Sequence, residues 1–323
     1  MIFATYNKHM NKKKLISWVI PCCNEQQVLV ETIARVTNVS NSLNNYSWEI
    51  ILVDDGSSDN TRNIIKAFSK ENKSIKLIGL SRNFGHQLAV QAGLNASGGS
   101  AVIIIDADLQ DPPELAESML ELWEQGYLVV YGRRIERVSE TIFKKISASL
   151  YYRILNTLSE IPIPLDTGDF RLIDRKLVIA LNQMPEKGRF LRGLISWSGY
   201  KQIGIPYRRD KRFAGTTKYS FKKMITFAIE GVTAFSRRPL RLATIFGLIT
   251  AVISLLLGFW VVYIRLFTNS WVEGWAGLAV GILFLSAIQL LCLGIVGEYI
   301  GRIYEEAKSR PLYLIEERVG FEE

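Results

Sequence analysis

Two long apolar runs near the carboxyl end of the chain restrict its fold more than any other feature. Residues 243–264 and 274–297 comprise 22 and 24 amino acids without a charged side chain. Each run is long enough to cross about 30 Å of hydrocarbon as a helix that rises about 1.5 Å per residue. Burial in a soluble core is the alternative, but neither run has the polar face expected of such a helix. We therefore predict a transmembrane hairpin over residues 241–298.

Basic residues flank this hairpin on its outer sides, whereas the connecting loop offers only Arg265 against Glu273. The flanking residues are Arg237, Arg238 and Arg241 before the first run, and Arg302, Lys308 and Arg310 after the second. Because positively charged flanks stay in the cytoplasm, we expect an integral membrane protein with both termini there and the hairpin loop outside. Residues 1–14 lack the apolar region of a secretory signal and are predicted to form a disordered tail.

The net charge of +8 indicates an anionic partner. With two membrane spans in the same chain, a lipid surface or phosphate groups are favoured over nucleic acid. The three cysteines and two histidines do not have the spacing of a disulfide framework or a zinc site. This cysteine usage fits a reducing compartment.

Short apolar segments alternate with amphipathic ones through the first half of the chain. Strands are predicted over residues 15–20, 48–53, 75–80, 101–105 and 128–131, with helices over residues 26–36, 60–70, 86–96 and 113–125. This alternation predicts an α/β domain with a mostly parallel sheet. No glycine-rich dinucleotide loop or Walker-type loop follows any of these strands, so neither a dinucleotide dehydrogenase nor a P-loop enzyme is indicated.

The strand at residues 101–105 ends at two carboxylates, Asp106 and Asp108. If the extended backbone continues, residues i and i+2 point to the same side, and the pair can hold one Mg²⁺ or Mn²⁺ ion. The carboxyl ends of buried parallel strands are also where open α/β sheets bind ligands. A solvated turn is an equal alternative for an isolated motif of this kind.

Polar residues also follow the first three strands. Each alone fits helix capping or a surface salt bridge, but together they indicate a ligand-binding rim. Asp55 is a candidate acceptor for a base N–H group, and Glu25 for ribose hydroxyls. The candidate substrate-binding residues of the rim are Pro21, Asn24, Glu25, Asp55, Ser57, Arg82 and Asn83.

Four of these motifs, in this order, resemble those of the family 2 glycosyltransferases: residues 21–25 (PCCNE), 53–59 (VDDGSSD), 81–85 (SRNFG) and 106–113 (DADLQDPP). Within that family the chain is similar to the polyprenyl-phosphate glycosyltransferases, the group of dolichyl-phosphate mannose synthase and the bactoprenol glucosyltransferases. The similarity continues through residues 166–172 (DTGDFRL), 212–219 (RFAGTTKY), 297–304 (GEYIGRIY) and 310–313 (RPLY). Cys22 and Cys23 depart from the first motif, where relatives often carry Val, Ala, Tyr or Phe.

The resemblance implies a GT-A fold over residues 15–218 and an inverting transfer of a sugar from a nucleotide sugar to a polyprenyl phosphate. It implies that Asp106, Asp108 and Gln110 hold the divalent cation and that Asp108 belongs to the catalytic centre. Asp169 is a candidate base or acceptor-orienting residue, although its pairing with Arg171 is equally typical of a structural ion pair. The two spans and the ending of the chain most resemble those of the bacterial enzymes, and this resemblance implies UDP-glucose, undecaprenyl phosphate and a bacterial inner membrane. A GDP-mannose-using enzyme and a non-catalytic nucleotide-sugar scaffold are the alternatives.

The segments nearest the membrane have amphipathic and basic patterns. We expect an amphipathic helix over residues 141–158 that packs on the core, with membrane contact as the alternative. A second amphipathic helix over residues 219–240 is expected to lie in the membrane interface, with core packing as the alternative. Residues 299–323 are predicted to be a cytoplasmic tail, and small residues in the spans favour a homo-oligomer. A basic segment before the membrane is expected to bind the acceptor phosphate through Arg209, Arg212 and Lys218. Arg133 and Arg171 are further candidates for this role if the fold brings them near that segment.

Overall fold

A computed structural model describes residues 13–135, 167–208, 238–267 and 275–321. These residues divide into two compact units. The first is a mixed α/β unit drawn from Met1–Leu150, Ile161–Phe221 and Pro311–Glu323, and the second is helical. Several predictions lie outside the described residues: the helix over residues 141–158, residues 219–237 of the helix predicted over 219–240, residues 1–12 of the tail predicted over 1–14, and Arg209, Arg212 and Lys218.

Eight described strands of the α/β unit form one mixed, mostly parallel sheet, in the order β7-β5-β6-β4-β1-β2-β3-β8. The pairs β1–β2, β1–β4, β2–β3 and β5–β7 are parallel, and β4–β6, β5–β6 and β3–β8 are antiparallel. This confirms the predicted fold class. The strands are β1 Lys14–Cys22, β2 Tyr46–Asp54, β3 Ile75–Leu80, β4 Ala101–Ile104, β5 Val129–Arg134, β6 Thr167–Asp174, β7 Gln202–Tyr207 and β8 Ile315–Val319.

Three of the four predicted helices lie within a few residues of their expected bounds, but the first, predicted over residues 26–36, runs from Leu29 to Ser42. The helices Arg175–Gln183 and Leu191–Trp197 were not predicted. The helix predicted over residues 113–125 starts as a 3₁₀ turn, Pro113–Leu115, before the α-helix begins. The helices are α1 Leu29–Ser42, α2 Thr61–Glu71, α3 His86–Ala96, α4 Ala116–Glu124, α5 Arg175–Gln183 and α6 Leu191–Trp197.

Both faces of the central strands are buried. Ile50 and Leu52 of β2 pack in one apolar cluster with residues of α1, α2 and α4. The alternate residues, Ile51 and Val53, pack in a second cluster with Ala89 and Ala92 of α3. Such two-sided burial explains why these strands are almost continuously apolar in sequence.

The carboxyl end of the chain departs from the predicted tail over residues 299–323. Its first part continues a long helix to Ala307, and Ile315–Val319 then forms strand β8. This strand pairs antiparallel with β3, where Ile78 lies opposite Arg318. The last described residues are therefore part of the α/β unit.

The helical unit contains α7 Arg238–Phe267 and α8 Trp275–Ala307. Two segments, Leu240–Trp260 and Val280–Ala307, are long and apolar enough to cross a membrane, and almost none of either is buried. The helices contact each other, with Cys292 Sγ 3.5 Å from the carbonyl oxygen of Ala243. Their lengths and exposed apolar surfaces agree with the predicted spans.

Candidate active site

The loops that follow β1 and β2 are locked together by Asn24. Its backbone N–H donates to Ser57 Oγ at 2.9 Å, and its side-chain Oδ1 accepts from the N–H of Ser58 at 2.8 Å. Asn24 has a positive φ of 56°, a conformation that asparagine tolerates better than most residues. Two predicted substrate-binding residues, Asn24 and Ser57, thus lie together at the rim.

Asp55 joins this pair of loops to the loop that follows β3. Its carboxylate is only 3% exposed and accepts from the N–H groups of Phe84 at 2.7 Å and Gly85 at 2.9 Å. Asn83 donates to the Asp55 carbonyl oxygen at 3.2 Å. Burial raises the pKa of Asp55, although the two N–H groups oppose this shift. Asp55 therefore fixes the loop that presents Arg82 and Asn83 at the rim.

Gly56 allows these loops to approach each other. Its φ is +63°, and a Cβ atom there would lie 2.4 Å from the carbonyl carbon of Arg82 and 2.5 Å from the backbone nitrogen of Asn83. Pro21 and Glu25 lie at the end of β1 beside this contact, buried and half-buried respectively. The side chain of Arg82 is exposed and stacks on the Phe84 ring at 4.0 Å.

Asp106 and Asp108 lie beyond the end of β4 rather than in it. The strand ends at Ile104, and the backbone turns at Leu109, whose φ is 56°. The alternation of side chains along a strand therefore does not determine the positions of the two carboxylates, contrary to the geometry expected from the sequence. The charge of Asp108 contributes to the raised pKa of Asp106, which indicates that the two carboxylates are neighbours.

Asp106 is the more constrained of these two acids. Its Oδ1 atom is buried and accepts no hydrogen bond from the described residues. Burial raises its pKa to about 6; His86 opposes this shift, and nearby Asp169, Asp111 and Asp108 add to it. A buried carboxylate oxygen without a hydrogen-bond donor is a candidate ligand for an oxygen-binding cation.

His86 and Arg192 were missed by the sequence analysis, and both contact Asp169. His86 Nε2 lies 3.2 Å from Asp169 Oδ2 and 3.6 Å from Asp106 Oδ1. Arg192 Nε donates to Asp169 Oδ1 at 2.8 Å, and Gln87 Nε2 donates to Oδ2 at 3.3 Å. The one signal in the sequence is the position of His86 directly after the motif at residues 81–85; nothing local marks Arg192.

Charges within this cluster stabilise one another. Burial opposes ionisation of Asp169, but Arg192 and His86 hold the pKa of its carboxyl well below the usual range. Burial likewise lowers the pKa of His86, but the neighbouring carboxylates of Asp169 and Asp106 raise it to about 9. Asp169 is thus a carboxylate and His86 a cation at neutral pH.

Arg171 lies on the same strand as Asp169, two residues further on, and is only 5% exposed. Its Nη2 atom donates to the Gly168 carbonyl oxygen at 2.7 Å, so Arg192 rather than Arg171 is the hydrogen-bonded arginine of Asp169. Burial lowers the pKa of Arg171 to about 10, and the charge of Asp169 opposes this shift. Arg133, in contrast, is exposed on β5.

Asp111 attaches the loop at residues 106–113 to strand β7. This carboxylate is fully buried and accepts a short hydrogen bond from the Tyr207 hydroxyl of β7. Arg134 Nε donates to the same hydroxyl oxygen at 3.3 Å. Burial and Asp111 raise the pKa of Tyr207, so its hydroxyl remains a donor.

The side chains of Asp106, Asp108 and Gln110 fit a divalent cation whose remaining coordination positions are filled by a bound substrate. Among the described residues, no group of three or more histidine, cysteine, aspartate or glutamate side chains is arranged to hold a metal ion. Asp106 and Asp108 supply two carboxylates, and Gln110 adds an amide in the same turn. Mg²⁺ is commonly bound by one or two carboxylates together with substrate phosphates, so a fully protein-made cage is not required.

The mixed sheet with an acidic cluster at its carboxyl edge agrees with the fold expected of a glycosyltransferase, and comparison with known proteins shows this class. The model of the family described as "Glycosyl transferase family 2" matches residues 17–181. The chain is 46% identical to the uncharacterized glycosyltransferase YkcC of Bacillus subtilis (strain 168), over 97% of each protein. It is 38% identical to the bactoprenol glucosyl transferase of Shigella phage SfX, over 94% of this chain and 99% of that one. The chain belongs to glycosyl transferase family 2.

Solved structures give a weaker likeness. The mannosyl-3-phosphoglycerate synthase from Rubrobacter xylanophilus is 17% identical, with a TM-score of 0.46 over 68% of this chain and 72% of that chain. A likeness of this size carries no argument about activity, which must come from the residues of the site.

Proposed function

We propose that this protein transfers glucose from UDP-glucose to undecaprenyl phosphate, with inversion at the anomeric carbon. The observation that carries the proposal is the buried Asp106 oxygen without a hydrogen bond from the described residues, set beside Asp108 at the edge of a rim suited to a nucleotide. The printed name of the phage relative, a bactoprenol glucosyl transferase, supports the choice of acceptor and sugar.

In this proposal the nucleotide lies across the carboxyl ends of β1, β2 and β3. Pro21, Glu25 and Asp55 line the position of the base and ribose, while Asn24, Ser57 and Asn83 hold the loops around it. Asp106, Asp108 and Gln110 would hold Mg²⁺ or Mn²⁺. Such an ion offsets the negative charge that develops on the departing nucleoside diphosphate.

The acceptor phosphate needs orientation more than deprotonation. The second pKa of a phosphate monoester is about 6, so its oxygen is already largely ionised at neutral pH. Asp169 is a weak base because its pKa lies well below the usual range, and its oxygens accept from Arg192 and Gln87. We therefore assign Asp169 the role of orienting the basic groups that meet the acceptor. Arg133, Arg171, Arg209, Arg212 and Lys218 are the proposed phosphate-binding residues, since guanidinium groups suit bidentate phosphate contacts.

The location proposed for this reaction is the cytoplasmic face of a membrane. Strand β8 follows the second long helix and belongs to the same sheet as the strands that precede the first. A hairpin of two spans returns the chain to the side on which it started, and the basic flanks favour the cytoplasm for that side.

A transfer assay with purified protein tests the proposal. Undecaprenyl phosphate and Mg²⁺ are supplied with UDP-glucose, UDP-N-acetylglucosamine or GDP-mannose, and lipid-linked sugar is measured. We expect product from UDP-glucose alone and its loss on adding EDTA. Product from GDP-mannose alone would replace the assigned donor, and nucleotide-sugar binding without lipid product would favour a scaffold.

The double variant Asp106→Asn, Asp108→Asn tests the cation site within the same assay. We expect a loss of at least about 100-fold in kcat, because removing an electrostatic stabiliser of developing charge has an effect of that order. The control is Glu117→Gln, which removes an exposed carboxylate on α4. Retention of activity by the double variant would contradict the assignment of these two residues.

A further inference from the structure

We propose that Arg62 is a positioning residue of the nucleotide-sugar site and that strand β8 holds it in place through Glu316. The proposal rests on the function proposed above, since it concerns the same site. It gives the segment after the second long helix a part in donor binding.

Arg62 joins three elements with its three guanidinium nitrogens. Nε donates to Asp54 Oδ2 at 2.6 Å, and Nη2 donates to the carbonyl oxygen of Leu80 at 2.7 Å. Nη1 donates to Glu316 Oε2 at 2.5 Å. One side chain on α2 thereby fixes the ends of β2 and β3 relative to β8.

Asp54 connects Arg62 to the rim through hydrogen bonds. Its side chain is fully buried, and its Oδ1 atom accepts from the N–H of Ser57 at 3.3 Å. Ser57 in turn accepts from Asn24, which closes the contact between the first two loops. The direction of the Asp54 carboxylate therefore influences the turn on which the proposed donor lies.

Leu80 carries the constraint to the third loop. Its carbonyl group, bound by Arg62, immediately precedes the loop that contains Arg82 and Asn83. The next N–H group, that of Ser81, donates to the carbonyl oxygen of Leu314 at 3.0 Å. The start of this loop thus depends on residues 314–316 and on their partner Arg62, while Asp55 holds its far end.

Strand β8 stays attached without the Glu316 ion pair. Tyr313, Ile315 and Phe321 pack against the apolar cluster that contains Ile51. The Tyr313 hydroxyl also accepts from Asn95 Nδ2 at 2.5 Å. Because Glu316 is 57% exposed, loss of its charge is expected to leave the fold intact.

Strand β8 also provides a matched control. Glu317, the next residue, forms an ion pair of 2.8 Å with Lys66 of α2, so it joins the same two elements. Asp54 and Leu80 are bonded by Arg62 rather than by Lys66. A comparison of Glu316→Gln with Glu317→Gln therefore separates donor positioning from simple attachment of the strand.

The experiment uses the full chain and measures the Kd for UDP and UDP-glucose by calorimetry, followed by KM and kcat for transfer. For Glu316→Gln we expect donor Kd and KM to rise about three- to fivefold. The lipid KM and kcat should remain unchanged, and Glu317→Gln should behave as wild type. Removing a negative charge alone would tighten binding of an anionic donor, so the predicted rise has the opposite sign.

A second variant, Arg62→Lys, keeps the charge but loses the planar group that reaches three partners. We expect a larger rise in donor KM, of about tenfold or more. The thermal midpoint of the variant is measured as well, to show whether its stability has changed. Equal donor affinity in Glu316→Gln, Glu317→Gln and wild type would overturn the inference and leave the proposed function standing. If wild type binds neither UDP nor UDP-glucose, the proposed function and the inference both fail.

Discussion

Asp169 illustrates how neighbouring charges set the role of a single residue. Among the described residues, Arg192, His86 and Gln87 surround its carboxylate, and the first two lower its pKa well below the usual range. A carboxylate stabilised in this way binds cations well and protons poorly. Its chemical effect is therefore to orient its basic neighbours.

We expect Asp169→Asn to lower kcat about 100-fold, as displacement of a catalytic group by about 1 Å does, with little change in donor KM. The substitution keeps the size of the side chain but removes the charge that holds Arg192 and His86. The control is Asp174→Asn on the same strand, where the carboxylate caps α5 by accepting from the Lys176 N–H at 2.8 Å. Asparagine keeps a side-chain oxygen that can cap α5, so this control should lower stability by less than about 1 kcal/mol and leave kcat intact.

The pH profile of the same variant distinguishes orientation from base catalysis. Because Asp169 is ionised throughout the neutral range, the acid limb of kcat should follow the acceptor phosphate, whose second pKa is about 6. Wild type and Asp169→Asn are therefore expected to show the same acid limb. Its disappearance in the variant would show that Asp169 acts as the base.

Strand β7 stabilises the loop at residues 106–113 through the hydrogen bond that Tyr207 donates to the buried carboxylate of Asp111. We expect Tyr207→Phe to lower the free energy of unfolding by about 1–3 kcal/mol, since Asp111 would lose a donor where water does not reach. The control is Tyr46→Phe, which removes a hydroxyl that donates to an exposed carboxylate, Glu124, at 3.2 Å. Equal thermal midpoints for the two variants would contradict this account.

Strand β2 carries a buried carboxylate at the amino edge of the sheet, away from the rim. Glu49 accepts from Lys76 Nζ at 2.7 Å, Ser17 Oγ at 2.5 Å and the Gly98 N–H at 2.7 Å. Burial alone would raise its pKa, but these donors lower it below the usual value of 4.5. The unfolded chain therefore binds the proton more tightly, and the stabilisation is present above pH 4.5 and is lost as the pH falls.

We accordingly expect Glu49→Gln to destabilise the protein by about 2 kcal/mol at neutral pH, because three donors lose their charged acceptor. The difference from wild type should shrink as the pH is lowered below about 4.5, where the wild-type carboxylate is also neutralised. Thermal unfolding in detergent across this pH range measures the difference in stability between wild type and Glu49→Gln. The control is Glu31→Gln, which changes an exposed carboxylate. A difference that stays constant with pH would refute the titration argument.

Elements with a strong local pattern were predictable from the sequence, and elements defined by distant partners were not. Strand β3 and helix α3 have their predicted bounds because apolar segments and loop motifs mark both ends. Strand β8, in contrast, has the charged sequence IEERV, and its pairing with β3 joins residues far apart in the chain. His86 and Arg192 were missed for the same reason, since only the fold brings them to Asp169.

At the scale of the whole molecule, β8 constrains the membrane topology proposed above. The sheet contains strands from before α7 and a strand from after α8, so if both helices span the bilayer, the proposed topology places their outer ends on one side of it. An odd number of crossings would separate β8 from β3 by the thickness of the hydrocarbon, about 30 Å. The pairing in the sheet and the two apolar helices therefore support the same topology by independent arguments.

Reporter fusions test this topology in cells. Alkaline phosphatase, which is active only outside the cytoplasm, should be active when fused after Asn269 in the connecting segment and inactive when fused after Glu323. A fluorescent protein that matures only in the cytoplasm should give the reverse pattern. In the proposed topology the basic flanks set the orientation, so replacing Arg237, Arg238 and Arg241 by glutamine should weaken it, since three positive charges are removed from the flank. Phosphatase activity at Glu323 in the wild-type sequence would mean that β8 and β3 lie on opposite sides, and the sheet could not form as described.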